Sequence, residues 1–139
     1  MRGKPTHPWI LLALVLFCAG AGLFVLYAFT PGLSAFYPPC VFNTVTGYHC
    51  PGCGTARGLH RLVHGDIRGA LAMNAFTMLA LPFIIYSITA EVLKSLYSRP
   101  VLPLPRMPAR AGWILFAAIM LFWILRNAPI YPFTLLAPH

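Results

Sequence analysis

Acidic residues are almost missing from this chain: Asp66 and Glu91 are its two carboxylates, against ten Lys/Arg. They fall at opposite ends of one apolar run, so a hydrolase built on a carboxylate dyad finds no pair here. Charge of either sign is scarce, at 9% of 139 residues, where a soluble globular chain carries about 25%. With 59% hydrophobic residues the chain cannot cover its apolar surface with polar groups, and lipid is the expected solvent. No Lys/Arg stripe lies outside the apolar runs, which argues against a nucleic-acid partner. The basic excess fits anionic headgroups at a membrane surface instead. No internal repeat is visible, and the length is that of one domain, 1–139.

What is present is a set of long uncharged stretches. Trp9 to Phe29 matches the roughly 20 apolar helical residues that cross a bilayer core. Arg2 and Lys4 precede it, and Ala19-Gly20-Ala21 resembles a signal-peptide cleavage site. The apolar run nevertheless resumes at Leu23 and completes a span, so the helix is expected to be retained. Cys18 lacks a small residue before it, since Phe17 stands there, and reads as a packing or lipid-facing residue rather than a lipid-modified one. A second span covers 69–90, with Asp66 as its N-cap and Pro82 as the expected kink. Glu91 and Lys94 near its far end are spaced to pair. A proline-rich linker, 99–110, leads to a third span at about 110–127, whose uncharged part gives only about 22 Å of helix at about 1.5 Å per residue. Either Arg110 and Arg126 snorkel, or the span runs on and the Ala128–Phe133 tail dips back. The expected fold is all-α integral membrane: three transmembrane helices, with a short amphipathic interfacial helix between spans one and two.

Between the first two spans, 40–66 holds three of the four cysteines and three of the five histidines. Cys50-Pro51-Gly52-Cys53 is a C-x-x-C turn opening into a helical pattern. It suits a disulfide or exchange couple, with a helix N-terminus favouring the thiolate, and it equally suits two of four zinc ligands. Gly54 stands where a haem c attachment needs histidine. Cys40 is an additional partner. At about 100° per residue, Arg57, His60, Arg61 and His64 share one arc about 100° wide, opposite Ala56, Leu59, Leu62 and Val63, and Gly65 closes the helix. His60 and His64 have two-histidine metal spacing. The two arginines on that arc favour an anion, such as a phosphate, a lipid headgroup or a carboxylate, over a cation. Trp9, Tyr27, Phe36, Tyr37, Trp113, Trp123 and Tyr131 are expected at span ends, as aromatics commonly are.

An odd number of spans puts 40–66 and the C-terminus on one side of the membrane. Arg126 and Asn127 therefore join the cysteine segment, Asp66 and Asn74, and Arg126 has Asp66 as a candidate partner. Six Lys/Arg (Arg2, Lys4, Lys94, Arg99, Arg106, Arg110) face four (Arg57, Arg61, Arg68, Arg126) across the bilayer. The positive-inside rule then places the N-terminus in the cytoplasm and the cysteine segment outside a multi-pass cell-membrane protein.

The run His49-Cys50-Pro51-Gly52-Cys53-Gly54, with Arg57, Leu59-His60, His64-Gly65-Asp66 and Asn74, resembles DUF2752, a family of small bacterial membrane proteins of unknown function. Cys40-Val41-Phe42 and Phe122–Asn127 extend the likeness. The resemblance implies the membrane architecture and the choice of this segment as the site, and no reaction; Pro51, Gly52, Gly54, Gly65, Asp66 and Asn74 are expected to be its structural residues. Two departures stand out. Ala56 replaces a threonine before the arginine, and Asn74-Ala75 replaces Asn-Pro, from which a straighter second span is expected.

Three functions follow from these residues. The leading one is a non-enzymatic membrane protein whose disulfide- or metal-braced segment recognises an anionic lipid or another membrane protein through Arg57, His60, Arg61, His64 and Arg126. The second is a membrane thiol oxidoreductase with Cys50 as nucleophile and Cys53 resolving, although no thioredoxin-like strand pattern surrounds the motif. The third is a zinc site built from Cys40, Cys50, Cys53 and His60 or His64.

Overall fold

The structure is a computed structural model that describes residues 8–32, 37–103 and 108–137. Arg2, Lys4, Phe36 and Arg106 lie outside the described residues, as does the middle of the proline-rich linker. Five helices follow one another: α1 (Pro8–Ala28), α2 (Val41–Thr46), α3 (Thr55–Val63), α4 (Ile67–Tyr97) and α5 (Ala109–Arg126). A 3-10 turn, Phe133–Leu136, ends the described chain. No strand occurs among the described residues, and α1, α4 and α5 are each long and apolar enough to cross a membrane.

Two units divide the chain, the first holding α1 as far as Val25 and α4 from Leu81. There α1 exposes Leu16, Phe17 and Phe24 with Cys18, the surface expected of a helix in lipid. Glu91 and Lys94 pair at 2.8 Å, yet they sit within α4, which runs to Tyr97 rather than ending near 90. The Tyr86 hydroxyl donates to the Pro103 carbonyl at 2.7 Å, tying down the start of the linker.

The second unit holds Leu26–Ala80, α5 and the tail. Its interior inverts the pattern of a soluble domain. Around a few small or flexible apolar side chains (Cys53, Ala70, Met73, Met78) the two largest fully buried side chains are Asn74 and Arg126. With lipid outside, polar groups gain most by facing one another. α3 rests on α4 through Gly58, where an added Cβ would lie 3.1 Å from the Ala70 carbonyl oxygen and 3.2 Å from Met78. The buried edge of α3 is therefore set by Gly58, beside the Ala56, Leu59, Leu62 and Val63 face expected from the wheel.

The second span differs from expectation in its break. Asn74 has φ −161° and ψ 87°, non-helical values inside α4, whereas Pro82 lies within the helix. The straighter span expected from Asn74-Ala75 is not found: the helix breaks at Asn74, which itself satisfies the backbone freed there, its Oδ1 accepting the Thr77 amide at 3.1 Å. At the start of α4, Asp66 caps as expected, its Oδ1 accepting the Gly69 amide at 2.8 Å. Gly65 closes α3 with φ 83°, a left-handed conformation that costs glycine nothing. α5 spans about 27 Å at about 1.5 Å per residue, near the bilayer core of about 30 Å. Beyond it the tail turns back, and the 3-10 turn contacts α5.

Candidate functional site

Cys40 stands at the N-cap of α2, a six-residue helix that periodicity did not reveal because none of its residues is buried. Thr44 closes its first turn on the Cys40 carbonyl, and Asn43 stitches its far end to Gly47 and Tyr48. Phe42 leans edge-on against Trp123 of α5, with ring centroids 5.7 Å apart. After this anchor the chain runs through His49 into the Cys50–Cys53 turn, closed by the Cys53 amide on the Cys50 carbonyl at 3.1 Å and the Thr55 amide on the Gly52 carbonyl at 3.1 Å. Gly54, at φ 83°, supplies the left-handed step that launches α3.

The result is a tripod of sulfur. Cys50 Sγ lies 3.5 Å from Cys40 Sγ and 3.1 Å from Cys53 Sγ, and the three lie within 4.8 Å of one another. All are free thiols. Zinc–sulfur bonds of about 2.3 Å in a tetrahedron hold the sulfurs about 3.8 Å apart, so small side-chain rotations suffice to seat an ion here. The thiols are not equivalent. The Asn43 backbone amide, with help from the neighbouring thiols, draws Cys40 below the ordinary thiol range. Burial, then hydrogen bonds to Cys50 and Cys40, pushes Cys53 up to about 12. Desolvation thus keeps Cys53 neutral, and Cys40 is displaced toward the anion.

Polar side chains from the spans grip the cysteine turn by its carbonyls. Arg126, 1% exposed, donates from its two terminal nitrogens to the carbonyls of Cys50 (3.0 Å), Pro51 (3.2 Å) and Cys53 (3.0 Å), with Phe122 beneath its guanidinium. Asn74 Nδ2 donates to the Pro51 and Cys53 carbonyls and to Thr55 Oγ1, whose hydroxyl also meets Thr77. Asn127 brackets His49, accepting its amide at 2.8 Å and donating to its carbonyl at 2.9 Å; Trp123 Nε1 donates to the same carbonyl. Alongside Asn127, Arg126 does meet the cysteine segment. Its partners are carbonyls, however, and it is buried rather than snorkelling. Asp66 pairs with Arg61 at 3.1 Å.

The polar arc of α3 is divided among separate neighbours. His60 Nδ1 donates to the Leu26 carbonyl. His64 stacks on Tyr27 with centroids 4.5 Å apart and donates from Nδ1 to the His60 carbonyl. Both imidazoles therefore serve the docking of α3 on the end of α1, and neither joins the sulfur group among the described residues. Only Arg57 of the arc lines the cavity beside the thiols, a space of about 390 Å³ whose wall also includes Tyr37 and His49. Tyr27, Trp123 and Tyr37, expected only to mark span ends, thus have specific contacts or positions. No periodicity points to them; only tertiary structure does.

Chemically the tripod can ligate a soft metal ion, or its closest pair can undergo thiol–disulfide exchange. No curated protein and no solved structure matches the chain. Residues 40–88, from the first sulfur ligand through the Asn74 break and into the second half of α4, match the family described as "Protein of unknown function (DUF2752)", a likeness that supports membership in that family.

Proposed function

We propose that this is a small integral membrane protein that holds a metal ion, zinc first among the choices, on Cys40, Cys50 and Cys53. The carrying observation is the convergence of three free sulfurs within 4.8 Å. Thiolates are the ligands that soft and borderline ions prefer, and zinc with three of them carries a net charge of −1. The buried Arg126 supports the same reading. Among the described residues neither side-chain carboxylate meets it, since Asp66 goes to Arg61 and Glu91 to Lys94. A buried cation without a counterion costs several kcal/mol, and an anionic metal–thiolate group beside the turn that Arg126 grips offsets that cost. The test is cobalt(II) loading of the reduced, detergent-solubilised chain. We expect one equivalent to give the intense near-ultraviolet sulfur-to-cobalt band, lost in Cys53→Ser; absence of that band in the reduced wild type refutes the proposal.

The 3.1 Å approach of Cys50 to Cys53 favours a second reading, thiol–disulfide exchange. In that reaction the Cys50 thiolate attacks a substrate disulfide, forms a mixed disulfide and expels one thiolate. Cys53 then attacks Cys50 sulfur, so the protein is oxidised and the substrate fully reduced. Cys53→Ser should trap the mixed disulfide, and a pair that fails to equilibrate with glutathione rules this reading out. For the orientation we propose a cytoplasmic N-terminus. Membrane-impermeant maleimide applied to intact cells should then label Cys40 without permeabilisation; labelling only after permeabilisation reverses the topology.

A further inference from the structure

Zinc in proteins takes four ligands, and no fourth His, Cys, Asp or Glu joins Cys40, Cys50 and Cys53 among the described residues. Sites with three protein ligands keep the remaining position for water or substrate. Beside the sulfurs lies the cavity of about 390 Å³, within the size range of small-molecule sites. One of its walls asks for an anion. The Arg57 side chain lines it beside the thiols and makes no hydrogen bond or ion pair among the described residues.

From this geometry we infer that the cavity admits a small organic anion which gives the metal its fourth ligand and sets its charge against Arg57. The inference rests on the metal reading above. The charges close on this assignment: zinc with three thiolates is −1 and faces Arg126, while the incoming anion answers Arg57. The site is then an open metal centre that accepts a ligand, rather than a closed structural brace. A lipid headgroup and a soluble metabolite present the same carboxylate chemistry, and the choice between them is experimental.

The experiment uses the full chain loaded anaerobically with cobalt(II), whose visible bands report the fourth ligand. Mercaptoacetate and cysteamine serve as probes: both offer a thiolate after releasing a proton, but one carries a carboxylate and the other an ammonium. Mercaptoacetate should shift the visible bands saturably and bind at least about tenfold more tightly than cysteamine, the scale of one charge-assisted hydrogen bond. Arg57→Gln should erase that preference while leaving the sulfur-to-cobalt band in place. Bands that respond to neither probe, or a preference that survives Arg57→Gln, overturn the inference and leave the metal reading standing. Failure to load cobalt removes both. Nanodiscs of phosphatidylcholine with and without phosphatidylserine then assign the source. A lipid-dependent band shift places the carboxylate on a headgroup, indifference to lipid places it on a soluble ligand, and each upholds the open site.

Discussion

Arg126 and Asn74 grip the same two carbonyls, Pro51 and Cys53, from different spans. Each carbonyl therefore keeps a donor when either side chain is lost, and the Cys50 carbonyl keeps the Cys53 amide. Hydrogen bonds to a charged group contribute about 1.5–3 kcal/mol each, but a carbonyl left with a second donor avoids the full penalty of an unmade bond. Arg126→Met also removes a buried charge and its desolvation cost, so the global melting point is a poor readout. Local opening of the cysteine turn is the better one. We expect Arg126→Met and Asn74→Ala each to ease that opening by about 2 kcal/mol, which is about a 30-fold rise in the alkylation rate of Cys53 when reclosing outpaces the reagent. In the double variant no side chain anchors either carbonyl, and a coupling of at least about 1 kcal/mol should carry the increase well beyond a thousandfold. Cys53 rates are read by mass spectrometry after timed alkylation of the reduced protein. Rates that multiply simply, or that do not move in either single variant, refute the shared grip.

Alkylation of the reduced, metal-free protein should proceed at Cys40 before Cys53. A thiol pushed up to about 12 carries roughly a thousandfold less thiolate at neutral pH than an ordinary one near 9.0. The Cys53 rate should climb until pH nears 12, while Cys40 levels off below 9.0; the reverse order contradicts the burial of Cys53. The same shift gives the sign for stability. Folding favours the neutral Cys53 thiol, so its contribution is complete below the unfolded value and fades as pH rises toward about 12. Gly58→Val should cost about 1–3 kcal/mol of thermal stability in micelles, because its side chain meets the Ala70 carbonyl and Met78; an unchanged melt would show that α3 does not pack on α4 as described. Asp66→Ala should cost about 0.5–2 kcal/mol through the lost cap, most of it recovered by Asp66→Asn, which still accepts the Gly69 amide. Equal losses in the two variants would assign the effect to the half-exposed Arg61 pair instead.

Much of this architecture is written in local pattern. Uncharged runs mark α1, α4 and α5, and Asp66 followed by Gly69 marks a helix start, because span length and capping depend on neighbouring residues alone. The inner site is written less openly. With two side-chain carboxylates in the chain, sequence offers Arg126 a pairing with Asp66 or an interfacial position; backbone carbonyls carry no sequence signature, and they are its actual acceptors. The break at Asn74 is held by Pro51 and Cys53 as well as by the nearby Thr77, and those two distant contacts lie in no local window of sequence. His60 and His64 have metal spacing on a helix, yet their positions against Leu26 and Tyr27 follow from how α3 docks. Cys40 was legible as a partner for the C-x-x-C pair, but α2, which delivers it, has no buried face to reveal it.

X-ray absorption at the zinc edge, on the reduced chain reconstituted with one equivalent of zinc, asks about the sulfur tripod most directly. The account predicts three sulfur scatterers at about 2.3 Å and one oxygen or nitrogen at about 2.0 Å. A shell of oxygen and nitrogen without sulfur, or zinc that does not stay with the protein, would contradict it.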